Sequence, residues 1–194
     1  MNVLVVHCHP DPLSLVAAAR DRVLSALTRS GHVVRLTDLY AEGFDPCFDA
    51  HDRRTHLEPG TAPGLADYAD DLRWCEVLVL VYPTWWSGQP AMLKGWIDRI
   101  WVNGVAWTLP AGATRLRPLL RNVRRIVVVT THGSSKLVNS LQGESGKRVV
   151  TRALRSLCNR RCRTTWVAMY GVDTSTVAQR RAFLERVDSR LGSV

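Results

Sequence analysis

No apolar run in this sequence approaches the roughly 20 residues that a bilayer-spanning helix needs, so no membrane insertion is expected. The five cysteines, Cys8, Cys47, Cys75, Cys158 and Cys162, are odd in number and form no CxxC pair. That disfavours a disulfide framework and a zinc ribbon, and makes reduced thiols the expectation. His7 and His9 flank Cys8 at strand spacing, but two ligands do not complete a metal site, and no metal is expected. No basic segment with a cleavage site precedes the first apolar run, which predicts a soluble, cytoplasmic protein without a signal peptide. The loop after that run matches neither GxGxxG nor GxxxxGKS. A dinucleotide-binding Rossmann dehydrogenase and a P-loop enzyme are correspondingly disfavoured. Internal repeats and linker-like stretches are absent as well.

What is present is ordinary for a globular chain: 194 residues, 46% hydrophobic and 22% charged, enough for a sizeable core in a single domain spanning 1–194. The net charge of +9 is uneven. Residues 1–97 carry 8 Lys+Arg against 12 Asp+Glu, a balance of −4, and residues 98–194 carry 18 against 5, a balance of +13. A basic half can attract nucleic acid, but these arginines are spread over several elements with no interleaved aromatics and no nucleic-acid motif. Solvated helix faces are the simpler reading, and no nucleic-acid partner is expected.

Apolar runs and helical periodicities alternate along the chain. Asn2–Cys8 reads as a buried strand, and Ser14 caps a helix running to about Arg29. Gly31 ends that helix, and His32–Leu36 is a second strand. Residues 41–64 form a long loop with a helical turn near Ala50–His56, and a short helix follows at Leu65–Trp74. Val77–Val81 is a strand buried on both faces, expected to break at Tyr82-Pro83. A helix starting near Pro90 carries Trp96 and Trp101, read as core aromatics. Then come the strand Ile126–Thr131, a helix around Lys147–Leu157, the strand Thr164–Tyr170, and a last helix Ser175–Leu191 capped by Ser175 or Thr174. Alternation of this kind predicts an α/β, flavodoxin-like three-layer doubly wound fold: five parallel strands in the order 2-1-3-4-5.

In such a sheet the loops after strands one, three and four meet at the carboxyl edge. The first holds His9 and Ser14 before a helix N-terminus, whose free N–H groups and positive dipole favour a phosphate. The second holds Pro83, Thr84, Trp85 and Trp86, offering indoles and backbone donors. The third, Thr130-Thr131-His132-Gly133, is small enough for close backbone approach. One phosphate pocket between two neutral walls suits a flavin.

These segments resemble the NAD(P)H:quinone oxidoreductase family of flavodoxin-like flavoproteins. The resemblance is carried by His9-Pro10…Ser14, by Pro83…Trp86…Gly88…Pro90-Ala91…Leu93-Lys94-Gly95-Trp96…Asp98-Arg99, and by Thr130-Thr131-His132-Gly133 with Ser140-Leu141-Gln142-Gly143. It implies a flavin, FMN or FAD, with His9, Ser14, Leu15 and Val16 on the ribityl phosphate. Pro83, Thr84, Trp85 and Trp86 would follow one edge of the ring, and Thr130, Thr131, His132 and Gly133 the other. It further implies ping-pong hydride transfer, in which NAD(P)H reduces the flavin and a quinone or similar acceptor takes two electrons. A homodimer with the site at its interface is also implied. The chain departs from the family's animal-type members, which carry a tyrosine before the SLQG-like segment and a histidine after it. Asn139 and Ser145 stand there instead, leaving His132 and Asn139 as the candidate catalytic groups. An alternative within the same superfamily is a flavin-binding ancillary subunit of a transport system, with little or no reductase role.

Overall fold

The computed structural model describes all residues, Met1–Val194. Five parallel strands form one sheet: β1 (Asn2–His7), β2 (Val33–Asp38), β3 (Val77–Thr84), β6 (Arg125–His132) and β7 (Arg163–Tyr170), ordered β2-β1-β3-β6-β7. Counted along this sheet alone, that is the predicted 2-1-3-4-5. The intervening numbers belong to a two-stranded ribbon, β4 (Trp107–Thr108) and β5 (Arg117–Pro118), which the sequence reading did not anticipate.

Side-chain alternation assigns the two faces of the sheet. Val3, Val5, Val77, Val79, Val81, Val127 and Val129 pack under α1 (Leu15–Arg29) and α7 (Val177–Leu191). Leu4, Val6, Leu78, Leu80, Tyr82, Ile126 and Val128 pack on the other face, against α3 (Ala66–Trp74) and α4 (Ala91–Ile100). Trp96 and Trp101 belong to this second core, being 1% and 6% exposed. The unbroken apolar runs of β1, β3 and β6 thus reflect burial on both faces, as parallel strands require.

Strand β3 does not break at Tyr82-Pro83; it continues to Thr84. In a parallel strand, alternate residues direct their backbone polar groups to opposite neighbours. Val81 faces β1, since its carbonyl accepts from Cys8 N–H at 2.9 Å, and Pro83 faces the same side. The β1–β3 ladder has already ended at His7↔Val81, so no ladder bond needs the N–H that Pro83 lacks. Strand β2 extends to Asp38 rather than stopping at Leu36. Its terminal carboxylate ties the strand ends together, accepting from Arg20 Nη1 at 3.0 Å and meeting His7 Nδ1 at 3.0 Å.

The helical turn α2 (Ala50–Thr55) lies where the sequence placed it, closed by a reciprocal Asp49–Asp52 capping box. The last helix begins at Val177, capped by Thr176 with Gln179 completing a capping box; Ser175 and Thr174 are not the cap. Ser175 instead donates its hydroxyl to Val172 O at 2.6 Å. The helix expected around Lys147–Leu157 is present as a continuous helical run from Ser145 to Ser156, and one short helix precedes it that was not expected. Helix α5 (Lys136–Leu141) follows β6 directly, and α6 (Ser145–Arg148) runs on into a π-helical turn, Val149–Leu154. No helix is long and apolar enough to cross a membrane.

Candidate functional site

The carboxyl edge of the sheet holds a cavity of about 820 Å³, within the roughly 300–1,000 Å³ usual for ligand sites. His9, Ser14, Leu15, Val16, Pro83, Thr84, Trp85, Trp86, Thr131, His132, Gly133 and Asn139 all line it. The remaining residue predicted for the site, Thr130, stands just behind that wall, its Oγ1 2.8 Å from Thr84 Oγ1. Topology does this gathering: parallel strands place every β-to-α loop at one edge.

The β1–α1 loop supplies donors. Ser14 caps α1, its Oγ accepting from Ala17 N–H at 3.1 Å. The N–H groups of Leu15 and Val16 make no hydrogen bond within the chain, as expected for a first helical turn. Two free amides, a free hydroxyl proton and the helix dipole therefore converge on one spot. His9 is folded back onto its own loop, with Nδ1 3.0 Å from Asp11 N and 3.1 Å from Asp11 O, which leaves Nε2 without a partner in the chain. Its ring lies 6.4 Å from that of Trp85. His7, one strand residue away from Cys8, is buried and committed to Asp38, so His7 and His9 serve separate partners.

The β3–α4 turn is strained. Trp85 and Gly88 close it with reciprocal backbone bonds of 3.2 and 3.0 Å. Its central residues, Trp86 and Ser87, both sit in the left-handed region, at φ of 49° and 59°. Such positions favour glycine, and each costs a side-chain-bearing residue roughly 1–2 kcal/mol. A clamp holds the turn there. Ser87 O accepts from Gly146 N–H at 2.7 Å and Ser145 Oγ at 2.9 Å, and Ser87 Oγ donates to Gln142 Oε1 at 2.5 Å. Trp86 consequently stands fully in solvent at the rim, whereas Trp85 is half-buried. The wall foreseen from two indoles is thus one indole and one projecting rim residue.

The β6 wall is built from cross-strand neighbours. The register places Thr84 beside His132 and His132 beside Tyr170, all on one face of the sheet. His132 and Tyr170 stack, with ring centroids 4.5 Å apart and planes 19° apart. His132 Nδ1 meets Asn139 Oδ1 at 2.8 Å, and Nε2 lies 3.5 Å from Thr84 Oγ1. Burial holds the His132 pKa below the ordinary histidine value, against the opposing influence of Asn139, so the ring is neutral near pH 7.

Sequence reasoning missed Ser87, Ser134, Gln142, Val172 and Asp173 in the lining. Val172 and Asp173 come from the loop after β7, which the same carboxyl-edge rule would have included. A Cβ on Gly133 would lie 2.6 Å from Asp173 Oδ2. Glycine at that position therefore lets the carboxylate close over the β6 turn.

Comparison with known proteins agrees with this architecture. The model of the family described as Flavodoxin-like fold (Flavodoxin_2) matches residues 1–191. A ribosyldihydronicotinamide dehydrogenase-like protein traD of Penicillium crustosum is 32% identical over 120 residues, covering 54% of this chain and 45% of that protein. NAD(P)H dehydrogenase (quinone) 1 of Cavia porcellus is 27% identical over 162 residues, covering 75% of this chain and 58% of the relative. The chain thus spans about half the length of these curated relatives. Among solved structures, Smu.1420 from Streptococcus mutans superposes with a TM-score of 0.87 at 27% identity, covering 100% of both chains.

Proposed function

From the premise that this chain belongs to the Flavodoxin-like fold family, we propose that it is a flavin-dependent NAD(P)H oxidoreductase passing two electrons to a quinone or similar acceptor. The observation that carries this reading is the pairing of the free Leu15 and Val16 amides with a large cavity walled by Trp85 and the Thr131–Gly133 turn. A phosphate with a flat ring attached suits both halves. Leu15, Val16 and Ser14 would hold the phosphate, with His9 as a further donor. Trp85 and the backbone of β3 and β6 would flank the ring. When bound, the flavin supplies the two-electron chemistry, taking hydride from NAD(P)H and passing it to the acceptor. The chain's own contribution is to orient the ring, exclude water from one face and supply hydrogen-bonding groups along its edges. The name of the Cavia porcellus relative supports a quinone as acceptor class.

A second copy of the chain would complete the site. Support comes from exposed apolar side chains: Trp86 lines the cavity and stands fully in solvent, and Leu13 and Leu141, next in sequence to the lining residues Ser14 and Gln142, are 93% and 81% exposed. Large exposed apolar side chains of this kind mark an interaction surface. A purified chain that sediments as a monomer at micromolar concentration contradicts this.

Two experiments test the flavin reading. Protein titrated with FMN or FAD should turn yellow, bleach with NADH or NADPH, and recolour with a quinone. A yellow protein that neither nicotinamide bleaches would instead be a flavin-binding ancillary subunit. In the second experiment Ser14→Asp retains a good helix cap but sets a carboxylate against the phosphate. A charge pair at about 4 Å is worth ~4 kcal/mol at an effective dielectric of about 20, less at a partly exposed loop. FMN affinity should therefore fall by roughly ten- to a hundred-fold, while riboflavin, lacking the phosphate, binds as before. Unchanged FMN affinity rules out this phosphate site.

A further inference from the structure

We propose that Asn139 is a positioning residue that locks the His132 imidazole in the tautomer protonated at Nδ1. The Nε2 lone pair is thereby presented to the cavity as a hydrogen-bond acceptor. The inference rests on which way the Asn139 amide must face. Its Nδ2 lies 2.8 Å from Ser135 O, 2.9 Å from Ser134 Oγ and 3.4 Å from Ser134 O. Carbonyl oxygens only accept, so the NH2 end of the amide is fixed toward them. Its oxygen is then the atom 2.8 Å from His132 Nδ1, and a carboxamide oxygen can only accept. The histidine proton must sit on Nδ1.

The opposite ring nitrogen follows from this. Nε2 carries no proton, and with the Thr84 hydroxyl 3.5 Å away and only 2.8 Å from Thr130 Oγ1, donation from Thr84 to Thr130 leaves the Nε2 lone pair to the cavity. The chain His132→Asn139→Ser135 is directed by its acceptors. The stack on Tyr170 fixes the plane of the ring. Four other titratable groups face this wall. They are Tyr170 itself, the Glu144 carboxylate 3.5 Å from the Tyr170 hydroxyl, Lys147 paired to Glu144 at 2.9 Å, and Asp173 across Gly133.

The consequence is a rule for the ligand. The β1–α1 end of the cavity offers only donors, and the His132 corner offers a lone pair. An occupant therefore needs an anionic group at one end and an N–H or O–H at the other, and a carbonyl facing His132 is disfavoured. For a flavin, the reading on which this role rests, a ring N–H would face His132.

Nitrogen-15 NMR of histidine-labelled, ligand-free chain tests the lock, with the His132 signals identified by their loss in His132→Gln. Wild type should show a protonated Nδ1 and a bare Nε2. Asn139→Ala should shift the population toward the Nε2–H form. Asn139→Asp should keep Nδ1–H and raise the His132 titration midpoint by about 1–3 pH units, the effect of an opposite charge in contact. A wild-type ring protonated at Nε2 overturns the proposal, as does an Asn139→Asp midpoint equal to wild type. If Asn139→Ala fails to fold, those two measurements still decide. Adding FMN should move the Nε2 signal; FMN that binds without moving it overturns the acceptor role. If FMN does not bind at all, the flavin reading fails, while the ligand-free spectra still report the tautomer.

Discussion

Replacing Gly146 by alanine tests the clamp on the tryptophan turn. Gly146 is the second residue of α6 and has no left-handed backbone, so its backbone accepts alanine. Its surroundings do not. An added Cβ would lie 2.9 Å from Ser87 O, 3.0 Å from Gly88 Cα and 3.3 Å from Gly88 C. All three are backbone atoms, so relief requires the whole turn to move by several tenths of an ångström. The bonds stretched by that movement are Gly146 N–H to Ser87 O at 2.7 Å, Ser145 Oγ to Ser87 O at 2.9 Å, and Gln89 Nε2 to Gly146 O at 2.8 Å. Each contributes about 0.5–1.5 kcal/mol net. Together they offset the roughly 1–2 kcal/mol that Trp86 and Ser87 each incur in the left-handed region. Weakening the clamp by about 2 kcal/mol should raise the population of the open turn about thirty-fold. Amide exchange at Gly88, whose N–H closes the turn onto Trp85 O, should accelerate by the same factor. Helix α1 amides across the sheet should keep wild-type rates. FMN affinity should fall in step only as far as the open turn becomes populated. Ser145→Ala, which removes one of the three bonds without a clash, should show a smaller acceleration. Wild-type exchange at Gly88 in Gly146→Ala refutes the clamp, and a larger effect from Ser145→Ala refutes its steric account.

Gly95→Ala should destabilise the fold although it improves helix propensity. An added Cβ would lie 2.3 Å from Pro46 O and 2.4 Å from Pro46 Cβ, an overpacking cost of about 1–3 kcal/mol against a gain of about 1 kcal/mol; an unchanged urea midpoint would count against a close approach of the loop to α4. Leu141→Glu should leave the fold, read by far-UV circular dichroism, unchanged, because the side chain is already in solvent in the single chain, and should shift sedimentation from dimer to monomer. A destabilised monomeric fold would show instead that Leu141 packs within its own chain.

The topology was legible because β1, β3 and β6 are apolar on both faces, which only a covered parallel sheet requires. Once the strands were parallel, the convergence of His9, Ser14, Trp85 and His132 at one edge followed without any contact being known. What escaped were features set by contacts between segments distant in sequence. Gly95 reads as an unremarkable helix residue, and only the approach of Pro46 explains it. The left-handed Trp86 and Ser87 violate local preference, so no local rule announces them. Helix α5 spans six residues, too short for periodicity to register, yet it brings Asn139 onto His132.

The two departures from the quinone-reductase pattern, Asn139 and Ser145, acquire a joint explanation from these contacts. In the animal-type members of the resembling family those places are expected to hold a tyrosine and a histidine. Here each residue instead holds one wall of the cavity: Asn139 orients His132 on the β6 side, and Ser145 grips Ser87 on the β3 side. Segment 139–146 therefore acts as a brace spanning both walls, with Gln142 and Gly146 adding grips on the same turn. Such a brace relocates the titrating group. With no histidine at 145 and no tyrosine at 139, the imidazole on the β6 wall is His132, on a rigid strand, while His9 lines the β1–α1 end. The neutral state and fixed tautomer of His132 come from burial and from Asn139. A group placed this way supplies a hydrogen-bond acceptor of constant geometry instead of a mobile charge. The pH dependence of any activity here should accordingly follow the depressed midpoint of His132, below the ordinary histidine range.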